Sequence, residues 1–107
     1  MKEQVIEPSI LDKIAENIIR IAVGFKPNNV EEMLPSSLHG IIKTISANIS
    51  REIVKNRDGI LSCGICGKGP YTRKGLYLHI KRMHMDKIVD MLRIELEEEL
   101  WRRRKQY

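Results

Sequence analysis

The sequence predicts a mainly α fold with one small ββα unit set between N-terminal helices and a long C-terminal helix. Three observations predict it. Two stretches before residue 59 carry apolar residues at helical spacing. A third, free of Gly and Pro, follows residue 85. Between them lies a short segment holding two cysteines and two histidines, too small for a core of its own.

The first helix is expected from about Pro8 to Val23. Ile10, Leu11, Ile14, Ile18, Ile21 and Ala22 make its apolar stripe. Pro8 suits a first helical position, and Gly24 followed by Pro27 ends the stretch. Asn29 with Glu32 three residues on resembles a capping box, which predicts a helical turn or two before Pro35. Ser36 or Ser37 then caps a longer helix over roughly residues 37–57, with Leu38, Ile41, Ile42, Ile45, Ile49, Ile53 and Val54 on one face. Asn56-Arg57-Asp58-Gly59 reads as a turn. Neither stripe can stay in water. The two helices are expected to pack on each other, on the C-terminal helix, or on a second copy of the chain, and the marginal core of such a pair favours a homodimer. Residues 1–59 are thus a helical region with a possible role in oligomerisation.

Ile88, Val89, Leu92, Leu96 and Leu100 give residues 86–107 a third stripe, with Met91 and Trp101 beside it. This helix is expected to reach Lys105 and to continue without a break from Thr72, a span on the order of 50 Å. It ends in Arg102-Arg103-Arg104-Lys105, cations that complement a helix C-terminus or contact phosphate.

The chemistry is concentrated in Cys63-Gly64-Ile65-Cys66, twelve intervening residues, His79, four more, and His84. Thiolate sulfur and imidazole nitrogen are the ligands zinc favours, four to an ion in a tetrahedron. Two cysteines with two residues between them wrap one ion in a tight knuckle, which Gly64 and Gly67 ease. Two histidines just over a helical turn apart can both reach it. Two thiolates and two neutral imidazoles neutralise Zn²⁺. One structural zinc held by Cys63, Cys66, His79 and His84 is therefore expected. Four protein ligands leave no open position for hydrolytic chemistry. No nucleophile, general base or phosphate loop stands out, so no enzyme is expected. A redox role for the cysteine pair lacks its βαβ context. His39 lies outside the motif and is expected to be structural or exposed.

In these residues the segment resembles the Cys2His2 zinc-finger family, over about residues 60–85. The resemblance implies a hairpin bearing the cysteines, a helix bearing the histidines, and a small core between them. Leu76 matches the family's leucine before the first histidine, and Leu61 falls where an aromatic often stands. The family's other aromatic position is Pro70 here, so Tyr71 is expected to fill the gap with a local distortion at Gly69-Pro70. It also implies that metal supplies most of the unit's folding free energy. Chelation is then expected to melt residues 60–84 while the isoleucine-rich helices persist.

The net charge of +5 has one address. Residues 60–87 hold Lys68, Arg73, Lys74, Lys81, Arg82 and Lys87 against Asp86 alone, while the flanking regions balance. Such a patch fits nucleic acid, or a merely solubilising face. In the zinc-finger family three helix positions read bases, and they fall here on Thr72, Gly75 and Leu78, which fill the reading code poorly. Contacts to phosphate from Lys68, Arg73, Lys74, Lys81 and Arg82, with Thr72 at the helix start, are expected instead. The expected function is a zinc-dependent DNA-binding protein, a transcriptional regulator; a zinc-stabilised protein-interaction module is the alternative. No small-molecule substrate is expected. No apolar run approaches membrane-spanning length, and Met1 to Ser9 lacks a signal-peptide pattern, so an intracellular protein is expected. The size, the cysteine usage and the isoleucine-, lysine- and arginine-rich composition are similar to those of small zinc-finger proteins of archaea and their viruses.

Overall fold

The computed structural model describes residues 6–104. Four helices and one two-stranded antiparallel sheet follow in the order α1 (Pro8–Val23), α2 (His39–Ile53), β1 (Val54–Arg57), β2 (Ile60–Cys63), α3 (Arg73–Met83) and α4 (Met85–Arg104). A mainly helical chain with a small ββ unit is what the sequence predicts.

Pro8 occupies the first turn of α1, and Gly24 ends it in the left-handed region at φ 88°. The Gly24 N–H donates to the Ile21 carbonyl and the Phe25 N–H to the Arg20 carbonyl, at 3.1 and 2.8 Å. This pairing satisfies carbonyls that the helix end would otherwise leave open. The following loop is tied back by Asn17, whose buried side-chain oxygen accepts from the Asn28 N–H.

The capping box expected at Asn29 does not form. Asn29 Oδ1 accepts from the Glu31 N–H two residues on, and only one 3-10 turn, Glu31–Met33, results. A second 3-10 turn, Ser36–Leu38, leads into α2 without a side-chain cap from either serine. His39 is structural: a ring N–H at Nε2 donates to the Leu34 carbonyl at 3.0 Å.

The larger departure lies at the end of α2. The helix expected over residues 37–57 stops at Ile53, and residues 54–57 form β1. Asp58 and Gly59 both have positive φ, 53° and 87°, and join β1 to β2 in register Arg57↔Ile60 through Val54↔Cys63. A two-residue loop with both φ values positive matches the strand twist, and Asp-Gly is among the pairs that favour it. The turn was legible; the strand before it was hidden by a helical stripe running into Val54.

One continuous core joins all four helices to β2. Ile14, Ile18 and Ile19 of α1, Ile49 and Ile53 of α2, Leu76 and Ile80 of α3, and Ile88 and Leu92 of α4 are fully buried in it. α1, α2 and α4 pack on one another, and α3 lies on α1. The isoleucine stripes are therefore largely covered within a single chain, with Ile21 left 37% exposed.

The uninterrupted rod expected from Thr72 to Lys105 is broken at His84, which leaves helical geometry at φ −129°, ψ 12°. Residues five apart on an α-helix point about 140° away from each other. The break turns the second histidine towards the first. Lys105 lies outside the described residues. Of the basic end, Arg102 pairs with Glu99 at 2.7 Å and Arg103 with the same carboxylate at 3.7 Å, on their own helix.

Candidate metal centre and basic surface

The chain approaches the site along β2. Cys63, the last residue of β2, is fully buried, and the three-residue step to Cys66 makes the knuckle. The Cys63 N–H donates to the Lys68 carbonyl at 2.8 Å and the Gly67 N–H to the Cys63 carbonyl at 2.9 Å, closing the loop. The Ile65 N–H points at Cys63 Sγ, 3.4 Å away. Gly67 takes positive φ, 81°. Gly64 has a different task from easing a turn. Its N–H donates to the Ile53 carbonyl at 2.8 Å, and a Cβ there would run into the Glu52 carbonyl oxygen and lie 2.8 Å from the Ile53 carbonyl carbon. The knuckle thus sits directly on the end of α2.

Residues 67–70 carry the chain to α3. The Gly69-Pro70 peptide is cis, and Tyr71 makes a single bridge to Leu61, its N–H donating to the Leu61 carbonyl at 2.8 Å. The return strand that the family resemblance implies is reduced to this bridge; β1 takes the other edge of β2. Thr72 caps α3, its hydroxyl accepting from the Gly75 N–H at 3.0 Å.

α3 and the break after it deliver the histidines. One ligand atom from each of Cys63, Cys66, His79 and His84 lies within 4.8 Å of the other three. Ligands about 2.0–2.3 Å from a shared ion stand roughly 3.3–3.8 Å apart, so the four are nearly at coordination spacing. Cys66 Sγ is 3.3 Å from His79 Nε2. The two imidazoles meet edge to face, with centroids 5.1 Å apart. His84 Nε2 is buried without a hydrogen-bond partner. A buried ring nitrogen left unpaired is costly, and an ion at this point would satisfy it. Burial first, then the charges of His79, Lys87 and Lys68, hold the His84 imidazole below its ordinary pKa. It is therefore neutral at neutral pH, the form that offers a lone pair to a metal.

Tyr71 fills the role expected of it and adds another. Its ring is half-buried and stacks on His79 at 4.9 Å, and its hydroxyl lies 3.3 Å from His79 Nδ1. With Nε2 given to a metal, the proton would sit on Nδ1 and be donated to the Tyr71 oxygen. Metal-binding histidines commonly have such a partner, which fixes the ring and its tautomer. Leu61 and Leu76 are buried beside the site as expected.

The six basic or polar residues expected at a phosphate surface divide. Lys68, Lys74 and Arg82 are exposed and make no ion pair among the described residues. Lys74 and Arg82, with half-buried Leu78 between them, form one stripe at i, i+4, i+8 on the face of α3 that points away from the core. Thr72 spends its hydroxyl on the helix cap. Lys81 turns to α1, where Glu16 lies at 3.5 Å. The same Glu16 carboxylate accepts from the Tyr77 hydroxyl at 2.6 Å, and this bond, ahead of Lys81, holds its pKa below the usual carboxylate value. Arg73 also faces α1, its guanidinium over Gly24. Lys87, counted in the charge of the segment but not among its contacts, is exposed near His84. Its position follows from the bend at His84, which helical periodicity does not reveal.

Among the described residues no helix is long and apolar enough to cross a membrane. No family model matches the chain, and no curated protein or solved structure is found similar to it.

Proposed function

We propose that the protein binds one structural zinc through Cys63, Cys66, His79 and His84 and, in that form, binds duplex DNA, acting as a transcriptional regulator. The donor set supports zinc: two sulfurs and two imidazole nitrogens, four protein ligands that leave no open coordination position, suit a tetrahedral structural ion. The observation that carries DNA binding is the outward stripe of α3, where Lys74 and Arg82 are exposed and unpaired among the described residues, with Lys68 and Lys87 exposed near His84. Gly75 has no side chain to offer, and Leu78 has only an apolar one. Contacts are then directed mostly to phosphate, which sets register rather than sequence. Zinc acts indirectly, by fixing α3 against β2 so that the stripe is presented as one surface.

A salt titration of DNA binding, run with zinc and with chelator on protein of measured oligomeric state, tests this. Binding is expected to weaken steeply between 50 and 200 mM salt and to vanish with chelator. Binding insensitive to salt, or none by the zinc-loaded protein, would overturn it. One observation favours the second reading, a protein-interaction module: Met83, 67% exposed, ends the same helix as Leu78. In that case zinc-loaded protein would ignore DNA, and Leu78→Glu would abolish binding to a protein partner.

A further inference from the structure

α1 runs antiparallel to α3. Glu16, in the middle of α1, meets Tyr77 and Lys81, while Gly24, at its end, lies against Arg73 near the start of α3. The Arg73 guanidinium is 3.7–3.8 Å from where a Gly24 Cβ would be. Arg20 stands one turn earlier on α1, 5.7 Å from the Phe25 ring centre, and its Nε–H donates to the Lys26 carbonyl at 2.9 Å. That bond holds the loop so that Lys26 follows directly on this end of the helix. Phe25 in turn packs on Tyr77, with centroids 5.6 Å apart. Three cations from separate parts of the sequence, Arg20, Lys26 and Arg73, are thus gathered at one corner, with Lys74 next in the chain.

Like charges brought together repel unless something compensates them. The C-terminal dipole of α1 offsets part of this, within its last turn. Glu16, one turn before Arg20 on α1, feels the Arg20 charge and offsets part of it, but its carboxylate is already shared by Tyr77 and Lys81. The Lys26 ammonium and the Arg73 guanidinium make no ion pair among the described residues. The corner adjoins the N-terminal end of α3, whose outward stripe begins at Lys74. A polyanion lying along that stripe would meet the corner next.

We propose that Arg20 and Lys26, with Arg73, form a second phosphate contact on the same DNA surface, so that the end of α1 extends a binding face that a single small metal unit could not supply alone. The inference rests on the DNA-binding reading above. It assigns to DNA two residues from a region whose charges cancel in the sequence, and it gives the docking of α3 on α1 a functional purpose.

The test uses full-length zinc-loaded protein and a 20-base-pair duplex, with affinity measured by fluorescence anisotropy across a salt series. Lys26→Gln is expected to reduce the slope of log affinity against log salt by about 0.9, and Arg20→Gln with Lys26→Gln by about twice that. Lys26→Arg, which keeps the charge, is expected to retain the slope. Arg93→Gln, which removes a cation paired with Asp90 on α4, is expected to leave it unchanged. Helical signal and zinc content verify each variant; should the double variant not fold, Lys26→Gln alone decides, because its ammonium makes no described contact. An unchanged slope for folded Lys26→Gln overturns the second contact while leaving DNA binding intact. An equal loss for Arg93→Gln also overturns it, since the effect would then be one of net charge. A wild-type protein that does not bind the duplex fails the underlying reading instead.

Discussion

The two halves of this molecule are held by different forces. In the helical half, Ile14, Ile18, Ile19, Ile49 and Ile53 are all fully buried, and apolar burial holds α1, α2 and α4 against one another. In the stretch from Cys66 to Pro70 every side chain is exposed, and order depends on a few backbone hydrogen bonds and on whatever ties Cys66 to the histidines. The difference teaches that a core and a loop of one chain can rest on different interactions, so that loss of a bound ion is expected to loosen the loop before the helices. α3 lies between the two regimes: Leu76 and Ile80 belong to the shared core, while His79 belongs to the site.

The largest effect is therefore expected from removing metal or a ligand. Cys63→Ser should forfeit metal binding, a coupling worth on the order of 10 kcal/mol in small zinc units. Hydrogen exchange should show residues 63–71 losing protection while α1 and α2 keep theirs. Collapse of all four helices together would break the comparison. Next is Ile49→Ala, fully buried in the helical half. It should cost about 2–5 kcal/mol in denaturant unfolding, with or without chelator, because the cavity lies in the part that metal does not hold. Gly64→Ala joins the two halves. A Cβ there meets backbone of Glu52 and Ile53, and neither can rotate away. About 1–3 kcal/mol of lost stability, with weakened metal affinity, is expected from zinc competition and thermal melts.

A smaller effect tests how α3 is fixed to α1. Glu16→Gln removes the charged acceptor of the Tyr77 hydroxyl and the partner of Lys81. A loss of about 1 kcal/mol is expected at neutral pH, discounted for partial exposure. Because the folded state lowers the Glu16 pKa, its contribution is fully present above the ordinary carboxylate value and fades as pH falls through the lowered one. Wild type and variant should converge in strong acid. The smallest effect, of opposite sign, belongs to Glu95. Burial, then Glu52 and Glu98, raises its pKa, so its charged form is disfavoured in the fold. Glu95→Gln should slightly raise the melting temperature at pH 7, and the gain should disappear below about pH 4, where the carboxyl is protonated in both states.

Much of this was legible because it depends on local patterns. Pro8 and Gly24 bound α1, the isoleucine stripes of α1 and α2 gave their buried faces, and the cysteine and histidine spacing brought four ligand atoms together. What could not be read depends on contacts distant in sequence. The helical stripe of α2 runs into Val54, so residues 54–57 look like more helix until Ile60 to Cys63 is there to pair with them; the Asp58-Gly59 pair, favoured in two-residue hairpin loops, was the available signal. The bend at His84 has no local signal, since no glycine or proline stands between Met83 and Asp86. Lys81 looked like a phosphate contact because Glu16, far away in sequence, is adjacent only in the fold. For the same reason the charges of the first 59 residues cancelled on paper, while Arg20 and Lys26 stand beside Arg73 in space.

The metal content of the purified, reduced protein tests the central claim most directly, measured for wild type and for Cys66→Ala beside hydrogen exchange over residues 60–84. One zinc per wild-type chain, with both the zinc and the protection of the knuckle lost in the variant, is the predicted result. A metal-free wild-type chain with that segment fully protected would contradict it.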